Sequence, residues 1–360
     1  MIDKEREIKV VSHPNCYFCG TKGEILYKDL EDRLFGVPGK WAFKRCPNIG
    51  CGLVWLDPMP LADQIPKLYE KYYTHKVDRL QPSFIVRLYE RIREGILASS
   101  FGYDEATRSV FWRISGHILA CIPFVKERIG GTIMWLEASQ RGRFLDVGCG
   151  DGKLLQRMHN LGWNVEGIEP DNDAAEFVRS KFGLNVRGCN LEEAKYPDAS
   201  FDVISMHHVI EHLADPVATL KECLRVLRQG GRLVLVTPNA VGSGIKRYGP
   251  DWRGLEPPRH LYLFTRRSIE RSIRDAGFSL QSTRTLSRCA AQFWSNSDQI
   301  RHRLTSYDAK SGHPRPLRQK VTKVLCLIRR PVYQFLANIL LLLNQQSGDE
   351  ILLIAKKVGL

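Results

Sequence analysis

The sequence predicts an α/β fold with a doubly wound, mostly parallel sheet, and three observations support this. A short apolar run at residues 143–147 enters a glycine-rich turn and is followed by a helical pattern that begins at Lys153. A second strand pattern spans residues 164–169, and a third spans residues 201–206. Apolar strands that alternate with helices are typical of parallel sheets with helices on both faces.

The turn at residues 148–152 predicts a loop that binds a nucleotide cofactor. Glycine occupies every second position of the turn, and glycine allows positive φ and a close approach of ligand to backbone. The helix that follows offers unpaired N–H groups at its N-terminus. Glu169 ends the next strand near the spacing at which a dinucleotide fold places an acid on the ribose hydroxyls, so we predict that it binds a ribose. A glycine-rich turn without a ligand is the alternative for the loop alone.

The spacing of the glycines favours one cofactor. Residues 148–152 read G-x-G-x-G, whereas dinucleotide loops read G-x-G-x-x-G. With Asp146 just before it, this turn resembles the first motif of class I S-adenosylmethionine-dependent methyltransferases. The resemblance implies S-adenosylmethionine as cofactor and a seven-stranded, Rossmann-like sheet whose last strand is antiparallel. We predict cofactor contacts at eight residues: Asp146, Gly148, Cys149, Gly150, Gly152, Glu169, Asn190 and Met206.

A second block of sequence, residues 201–239, extends the resemblance. It reads F-D-V-I-S, then H-V-I-E-H-L-A-D-P, L-R-Q-G-G-R-L and T-P-N, and it resembles the fourth and fifth strand region of small-molecule methyltransferases, including the ubiquinone-biosynthesis type. In all, the resemblance covers about residues 143–283. It places His208 and His212 on the acceptor side of the cleft, where ligands of open α/β sheets bind. We expect the helix that follows them to end at residues 229–231.

The H-V-I-E-H run has a second, less favoured interpretation. It matches the H-x-x-E-H signature of inverted zinc peptidases, in which His208 and His212 would share one helix face. The sequence offers no credible third zinc ligand nearby, which argues against a catalytic zinc at this place.

Four cysteines near the N-terminus predict a structural metal site. They form a C-x2-C pair at residues 16–19 and a C-x4-C pair at residues 46–51, and four thiolates at such spacing suit tetrahedral zinc. Four thiolates leave no open coordination site, so this metal would hold a fold rather than catalyse. Free thiols in a small subdomain are the alternative. The predicted zinc ligands are Cys16, Cys19, Cys46 and Cys51.

The residues after the cysteines carry a further resemblance. The run C-G-L-V-W-L-D-P-M-P at residues 51–60 and a Y-x-x-x-Y pattern from Tyr69 to Tyr73 resemble the start of bacterial methyltransferases in surface-polysaccharide and sugar-modifying pathways. In that group the second cysteine pair is usually C-x2-C, two residues shorter than here. The resemblance implies a saccharide or other small-molecule acceptor, with O-methylation ahead of C-methylation.

Histidine is the predicted general base. Methyl transfer is an in-line displacement, and a hydroxyl acceptor must also lose its proton. The loop at residues 249–261 follows the fifth strand, a usual place for acceptor residues, and contains the W-x-G-L-x-x-P-R-H-L pattern that recurs in the family resembled. We predict His260 or His208 as the base, with His212 beside them and with Trp252 and Arg259 shaping the acceptor pocket. A hydrogen-bonded structural role is the alternative for each histidine.

Length and composition fit a cytosolic enzyme of several parts. The chain has 360 residues, 43% of them hydrophobic, which suffices for one full domain with satellites. Its charged start lacks an apolar stretch, so we expect no signal peptide. We predict five segments in chain order: a zinc-ribbon-like subdomain at 1–62, a helical linker or cap at 63–140, a methyltransferase core at 141–285, a basic and apolar helical insertion at 286–348, and a final core strand at 349–360.

The charge of the chain is uneven. The net charge is +14, and residues 281–331 contain eleven lysines and arginines against two acids. An apolar helical pattern follows at residues 332–343. A basic run beside an apolar helix indicates peripheral association with a membrane, here its cytoplasmic face, and is compatible with a lipid-linked saccharide acceptor. A solvated basic loop, with the helix packed in the core or in a dimer interface, is the alternative.

Two other functions compete with this interpretation. The first is methylation of ribosomal or transfer RNA, because basic patches bind phosphate backbones. Nucleic acid is nevertheless disfavoured, because the fourth strand lacks the Asn/Asp-Pro-Pro-aromatic motif and the aromatic residues are not interleaved with the basic run. The second is a binding module that has lost its chemistry, which the intact glycine turn and Glu169 argue against.

Overall fold

The computed structural model describes residues 8–69, 84–304 and 317–359. The strands are β1 (Val10–Val11), β2 (Glu24–Leu30), β3 (Trp41–Arg45), β4 (Val54–Leu56), β5 (Met59–Pro60), β6 (Arg143–Val147), β7 (Asn164–Ile168), β8 (Val186–Arg187), β9 (Phe201–His207), β10 (Leu227–Pro238), β11 (Tyr262–Leu263), β12 (Ser279–Leu286) and β13 (Glu350–Lys356). The helices are α1 (Phe84–Phe101), α2 (Val110–Ala120), α3 (Pro123–Gly130), α4 (Lys153–Asn160), α5 (Asn172–Phe182), α6 (Pro216–Val226), α7 (Ser243–Tyr248), α8 (Arg266–Asp275), α9 (Ala290–Arg301), α10 (Leu317–Ile328) and α11 (Arg330–Leu343).

Seven of the strands form one sheet in the order β12-β13-β10-β9-β6-β7-β8. β6 pairs in parallel with β7 and with β9, and β7 pairs in parallel with β8. The last strands are antiparallel. Four of the five residues of β6 are buried, as expected for a strand with both faces covered. The predicted doubly wound α/β sheet is confirmed.

The chain forms two compact units, each made of several segments. Unit 1 contains Met1–Tyr72, His208–Leu220 and Leu235–Ile354, and unit 2 contains Tyr73–His207, Lys221–Val234 and Ala355–Leu360. The five-segment division that the sequence suggests stays a prediction.

Local sequence explains the helix boundaries in unit 2. α4 starts after Gly152, which has φ of 71°, and a Cβ at this position would lie 2.6 Å from Cγ1 of Val178. The position therefore needs glycine both for its conformation and for its packing. α5 starts after Asp171, whose carboxylate accepts hydrogen bonds from the first-turn N–H groups of Asp173 and Ala174. It ends at Phe182, and its C-cap residue Gly183 is again left-handed with φ of 66°.

One predicted boundary was wrong. The helix expected to end at residues 229–231 ends at Val226, because β10 begins with Leu227. Gly230, with φ of 78°, lies within this strand, and its N–H donates to the carbonyl of Lys357. The glycine pair therefore permits an irregular strand rather than ending a helix.

A second, antiparallel sheet lies in unit 1. Its order is β11-β4-β3-β2, so the N-terminal strands continue into a strand that follows residue 260. Tyr262 pairs with Trp55, and Leu263 pairs with Val54. β11 therefore joins the cysteine-bearing segment to the loop that carries His260.

Three helices lie between β12 and β13 in the described part of the chain. They are α9, α10 and α11, and β13 then pairs beside β12 in the seven-stranded sheet. The insertion predicted at residues 286–348 stays a prediction as a division of the chain. The basic residues Lys310 and Arg315 lie outside the described residues.

Candidate functional site

The glycine turn of unit 2 has the conformation that the sequence predicts. Gly148, Gly150 and Gly152 all have positive φ, of 71°, 52° and 71°. A Cβ added to Gly150 would meet nothing within 4 Å, so the space beside this residue is open. An open space against bare backbone is what a bound nucleoside requires, and the glycines therefore fit the cofactor.

Glu169 lies directly at the glycine turn. Its Oε2 accepts a hydrogen bond of 2.8 Å from the N–H of Gly150, and its Oε1 accepts one of 3.1 Å from the N–H of Asp171. The structure thus brings together the turn and the acid that the sequence separates by nearly twenty residues.

Asp146 is held below the turn by a partner that sequence analysis missed. Its carboxyl is buried and accepts a 2.6 Å hydrogen bond from Oγ of Ser205 on the neighbouring strand. Burial raises the pKa of Asp146 to about 7, although the bond from Ser205 opposes this shift. Ser205 could have been found from its place in a strand that runs parallel to β6.

The other predicted cofactor residues differ in exposure. Met206 and Cys149 are buried, and the N–H of Cys149 donates to the carbonyl of Ile168. Burial raises the pKa of the Cys149 thiol far above its usual range, so this thiol is protonated. Asn190 is exposed, and its N–H donates to the carboxylate of Glu193.

His208, in unit 1, is held between two carboxylates. Its Nδ1 lies 3.1 Å from Oε1 of Glu211, and its Nε2 lies 2.9 Å from Oε1 of Glu350. Burial alone would lower the pKa of His208, but the bonds to Glu211 and Glu350 outweigh burial and raise it to about 9. Both ring nitrogens therefore carry a proton near neutral pH. A ring in this state has no lone pair with which to accept a proton, which argues against His208 as the base.

Glu211 is the buried counter-ion of this histidine. Its second oxygen accepts a 3.0 Å bond from Oγ1 of Thr237. Burial raises its pKa, but the bond from His208 and the nearby histidines lower it to about 2. The helix that the zinc-peptidase signature needs does not form, because Ile210–His212 is a single 3-10 turn and His208 has φ of 57°.

The charge state of His208 predicts a pH dependence of stability. Because the folded-state pKa is raised from 6.5 to about 9, its contribution is complete below about pH 6.5 and is lost as the pH rises through 9. The loss should be about 2–3 kcal/mol of unfolding free energy. Denaturant melts between pH 7 and 9.5 should show it in the wild type, and His208→Gln should flatten this part of the profile. The exposed-site variant His159→Gln serves as control and should keep the wild-type slope; an unchanged slope in His208→Gln would contradict the assignment.

His212 and His260 form a second histidine group in unit 1. Their rings lie 4.7 Å apart in an edge-to-face arrangement. Nδ1 of His260 donates to the carbonyl of Gly254 at 2.7 Å, and Nδ1 of His212 lies 3.0 Å from the carbonyl of Arg259 and from the hydroxyl of Tyr69. Burial, together with His212, lowers the pKa of His260 to about 4. His260 is therefore neutral at pH 7, with its lone pair on Nε2.

The loop that carries His260 is anchored by Arg259. This guanidinium is 1% exposed; Nη1 and Nη2 donate to Asp32 at 2.8 and 3.1 Å, and Nε donates to Glu256 at 2.9 Å. Neighbouring Arg253 and Arg259 hold the pKa of the Glu256 carboxyl well below its usual range, against the effect of burial. Arg259 thus positions the loop through buried ion pairs, whereas the sequence suggested that it faces the acceptor. Trp252 is equally buried, at 1% exposure.

The four N-terminal cysteines converge as predicted. Each of the four Sγ atoms lies within 4.8 Å of the other three. The Sγ–Sγ distance is 3.6 Å between Cys16 and Cys51 and 3.4 Å between Cys19 and Cys46. Tetrahedral zinc with Zn–S bonds of about 2.3 Å would place the sulfurs about 3.8 Å apart, so the donor set and spacing fit zinc. The glycine after each pair, Gly20 and Gly52, is left-handed, with φ of 69° and 64°. The longer second spacer therefore does not prevent convergence.

Comparisons with known proteins support a methyltransferase cofactor for the glycine turn at residues 148–152. Residues 124–283 match the family model described as a methyltransferase domain. The chain carries a class I S-adenosylmethionine-dependent methyltransferase domain. It is similar to a probable S-adenosylmethionine-dependent methyltransferase of Mycolicibacterium smegmatis, with 32% identity over 140 residues that cover 39% of this chain and 52% of that protein. It is also similar to a ubiquinone biosynthesis O-methyltransferase of Cereibacter sphaeroides, with 34% identity over 145 residues, 35% of this chain and 59% of the relative.

Solved structures are similar only in broad outline. Geranyl diphosphate C-methyltransferase from Streptomyces coelicolor aligns with 65% of this chain and 77% of its own, at 17% identity and a TM-score of 0.42. The chain spans 52% and 59% of the length of these two sequence relatives. The family match and the strand order of the sheet therefore agree on a methyltransferase domain.

Proposed function

We propose that this methyltransferase transfers a methyl group from S-adenosylmethionine to a hydroxyl of a saccharide or another small molecule. The observation that carries the proposal is the left-handed glycine turn with Glu169 hydrogen-bonded to it. Bound S-adenosylmethionine would supply an electrophilic methyl group on a sulfonium.

The cofactor would be held by unit 2. The open backbone at Gly150, next to the left-handed Gly148, would receive the nucleoside, and Glu169 would accept hydrogen bonds from the ribose hydroxyls. Gly152 shapes the turn and starts α4. Asp146, fixed by Ser205, stands at the end of the strand that enters the turn. Cys149, Asn190 and Met206 complete the proposed cofactor contacts.

His260 is the proposed general base, with His212 as its partner. The Nε2 lone pair of His260 would take the proton of the acceptor hydroxyl as the oxygen attacks the methyl carbon. Its lowered pKa makes the free ring a weak base, but Glu211 and Glu256 are ionised and stabilise the imidazolium that forms. The carbonyl of Gly254 fixes the tautomer of His260. A carbonyl can only accept a hydrogen bond, so the ring proton must lie on Nδ1. His208 would support this group through Glu211.

A cell-surface glycan or a secondary metabolite is the proposed source of the acceptor. Support comes from the sugar-pathway resemblance of residues 51–73 and from O-methyltransferases among the sequence relatives. Methylation of an acidic sugar carbon is the second choice. Methyl transfer would take place in the cytoplasm, and at the inner face of the membrane if the acceptor is lipid-linked.

Mass spectrometry of cell-surface glycans and small-molecule extracts from a deletion strain tests the acceptor class. We expect a glycan or a small molecule that has lost one CH2 unit relative to the parent strain. Loss of methylation in bulk RNA alone, together with steeply salt-dependent RNA binding, would favour the nucleic-acid function instead.

We also propose that Cys16, Cys19, Cys46 and Cys51 bind one structural zinc ion. The metal would fix β3 and β4, and β4 pairs with β11, two residues after His260. Oγ1 of Thr265 donates to the carbonyl of Cys51 at 2.9 Å, which ties the same cluster to the start of α8. Zinc should therefore stabilise the loop that carries the proposed base.

Loss of zinc should lower both stability and turnover. Cys46→Ser leaves a three-thiolate site, and loss of a structural metal costs about 4 kcal/mol or more. We expect about one zinc ion per chain in the wild type by elemental analysis, and an unfolding temperature and turnover that both fall in Cys46→Ser. The matched control is the exposed Cys121→Ser, which should retain its metal and its turnover. Wild-type protein that contains no zinc after purification under metal-replete conditions would contradict the metal site.

A further inference from the structure

The helix pair α10–α11 exposes apolar side chains that a protein in water would bury. The relative exposures are 66% for Ile328, 64% for Phe335, 64% for Leu342 and 79% for Leu343. Eight smaller exposures, between 38% and 56%, add to this surface: Val321, Val324, Leu325, Leu327, Val332, Leu336, Ile339 and Leu340. We call these twelve residues the apolar face. Exposed apolar side chains concentrated on one pair of helices are typical of an interaction site.

The inward side of the same helix pair is held to the protein by hydrogen bonds and by the buried side chains of Cys326, Tyr333 and Ala337. Oγ of Ser295 on α9 donates to the carbonyl of Cys326 at 2.9 Å, and the hydroxyl of Tyr333 donates to the carboxylate of Asp298. Oγ of Ser287 donates to Oδ1 of Asn338 at 2.8 Å. The pair is therefore already fixed to the protein on one side, while its apolar face points away from it. An apolar outer face is unusual for a helix on a water-exposed surface and favours an apolar partner outside the helices.

Charge decides which apolar partner covers the face. Residues 317–343 contain five bases and no acid: Arg318, Lys320, Lys323, Arg329 and Arg330. A second copy of this helix pair would bring two sets of bases together with no acid on this segment to neutralise them. Anionic lipid headgroups would complement the bases while the acyl region accepts the apolar side chains.

The helices are too short to cross a bilayer one at a time. In the described part of the chain no single helix is long and apolar enough, although Val321–Ile328 and α11 together have the length and apolar composition of a span, with a bend of 43° between them. A bent pair whose inner side is hydrogen-bonded to α9 suits a position in the plane of the interface.

We propose that α10 and α11 form a membrane-docking element that lies in the interface of an anionic lipid bilayer. The apolar face enters the acyl boundary, and the basic residues contact the headgroups. This adds a membrane surface as a partner to the proposed function and does not depend on the identity of the acceptor.

Sedimentation with lipid vesicles tests the proposal on the full chain. We expect binding to vesicles of phosphatidylglycerol and phosphatidylcholine, weaker binding to pure phosphatidylcholine, and weakening of the former by salt. Lys323→Gln with Arg329→Gln should reduce binding to anionic vesicles by about 25-fold, since each base contributes about fivefold, or roughly 1 kcal/mol. Phe335→Ser with Leu342→Ser should reduce it by at least about 100-fold.

A matched control separates this face from exposed apolar residues in general. Ile25 on β2 is 65% exposed, and Ile25→Ser should leave vesicle binding unchanged. Calorimetry with S-adenosylmethionine on every variant should give wild-type affinity, which shows that each variant is folded and separates failure of docking from failure of the methyltransferase function.

Three results would overturn the proposal. The first is no binding of the wild type to anionic vesicles at low salt, and the second is an equal loss of binding in Ile25→Ser. The third is a concentration-dependent dimer in sedimentation velocity that the Phe335→Ser, Leu342→Ser variant abolishes, because a second copy would then cover the face.

Discussion

Replacement of Glu169 by Ala is expected to weaken S-adenosylmethionine binding by about 10- to 100-fold, because hydrogen bonds to a charged group contribute about 1.5–3 kcal/mol. The Glu169 carboxylate already accepts a hydrogen bond from the N–H of Gly150 and would accept those of the ribose. The variant therefore loses the ribose contact and the anchor of the turn together. Isothermal titration calorimetry measures the change directly.

The control for this variant lies on β7. Glu166 forms a 2.8 Å ion pair with Arg143, the first residue of β6. The Glu166→Ala variant should therefore bind the cofactor with wild-type affinity. Affinity that stays unchanged in Glu169→Ala would remove this residue from the cofactor site.

Replacement of His260 is expected to reduce turnover by about 100- to 10,000-fold, the usual contribution of a general base, without weakening S-adenosylmethionine binding. His260→Asn is the sharper variant, because the amide N–H of Asn can donate to the carbonyl of Gly254 as Nδ1 does now. It keeps that buried bond but offers no basic nitrogen. Steady-state rates with the acceptor, combined with calorimetry for the cofactor, separate the two effects.

Comparison with the other histidines sharpens this test. The exposed-site variant His159→Ala should retain full turnover. His208→Gln should lose stability at neutral pH, since it leaves Glu211 without its cation and leaves Glu350 paired with Arg288. If His260→Asn turned over at the wild-type rate while His212→Asn did not, the base would be His212 instead.

The parts of the site that local sequence determines were predictable. Three glycines with positive φ, an acid at the end of the next strand and two cysteine pairs, each followed by glycine, specify conformations within a few residues. The structure brings these groups together as the spacing suggests. The longer C-x4-C spacer shows that convergence tolerates two extra residues where asparagine and glycine form the turn.

The partners of the histidines could not be predicted, because they come from distant segments. Glu350 lies 142 residues after His208, and Asp32 lies 227 residues before Arg259. No periodicity or spacing encodes such pairs, since only the folded chain brings these elements together. This is why the sequence could name His208, His212 and His260 as candidates but could not separate the protonated His208 from the neutral His260.

The most direct test of the central claim is transfer of a labelled methyl group. Purified protein, S-adenosylmethionine with an isotopically labelled methyl, and an extract from a deletion strain are incubated together, and the products are resolved by mass spectrometry. We predict label on a carbohydrate or another small molecule, and its loss with His260→Asn. Label on RNA alone, or no transfer by protein that binds S-adenosylmethionine, would contradict the proposed function.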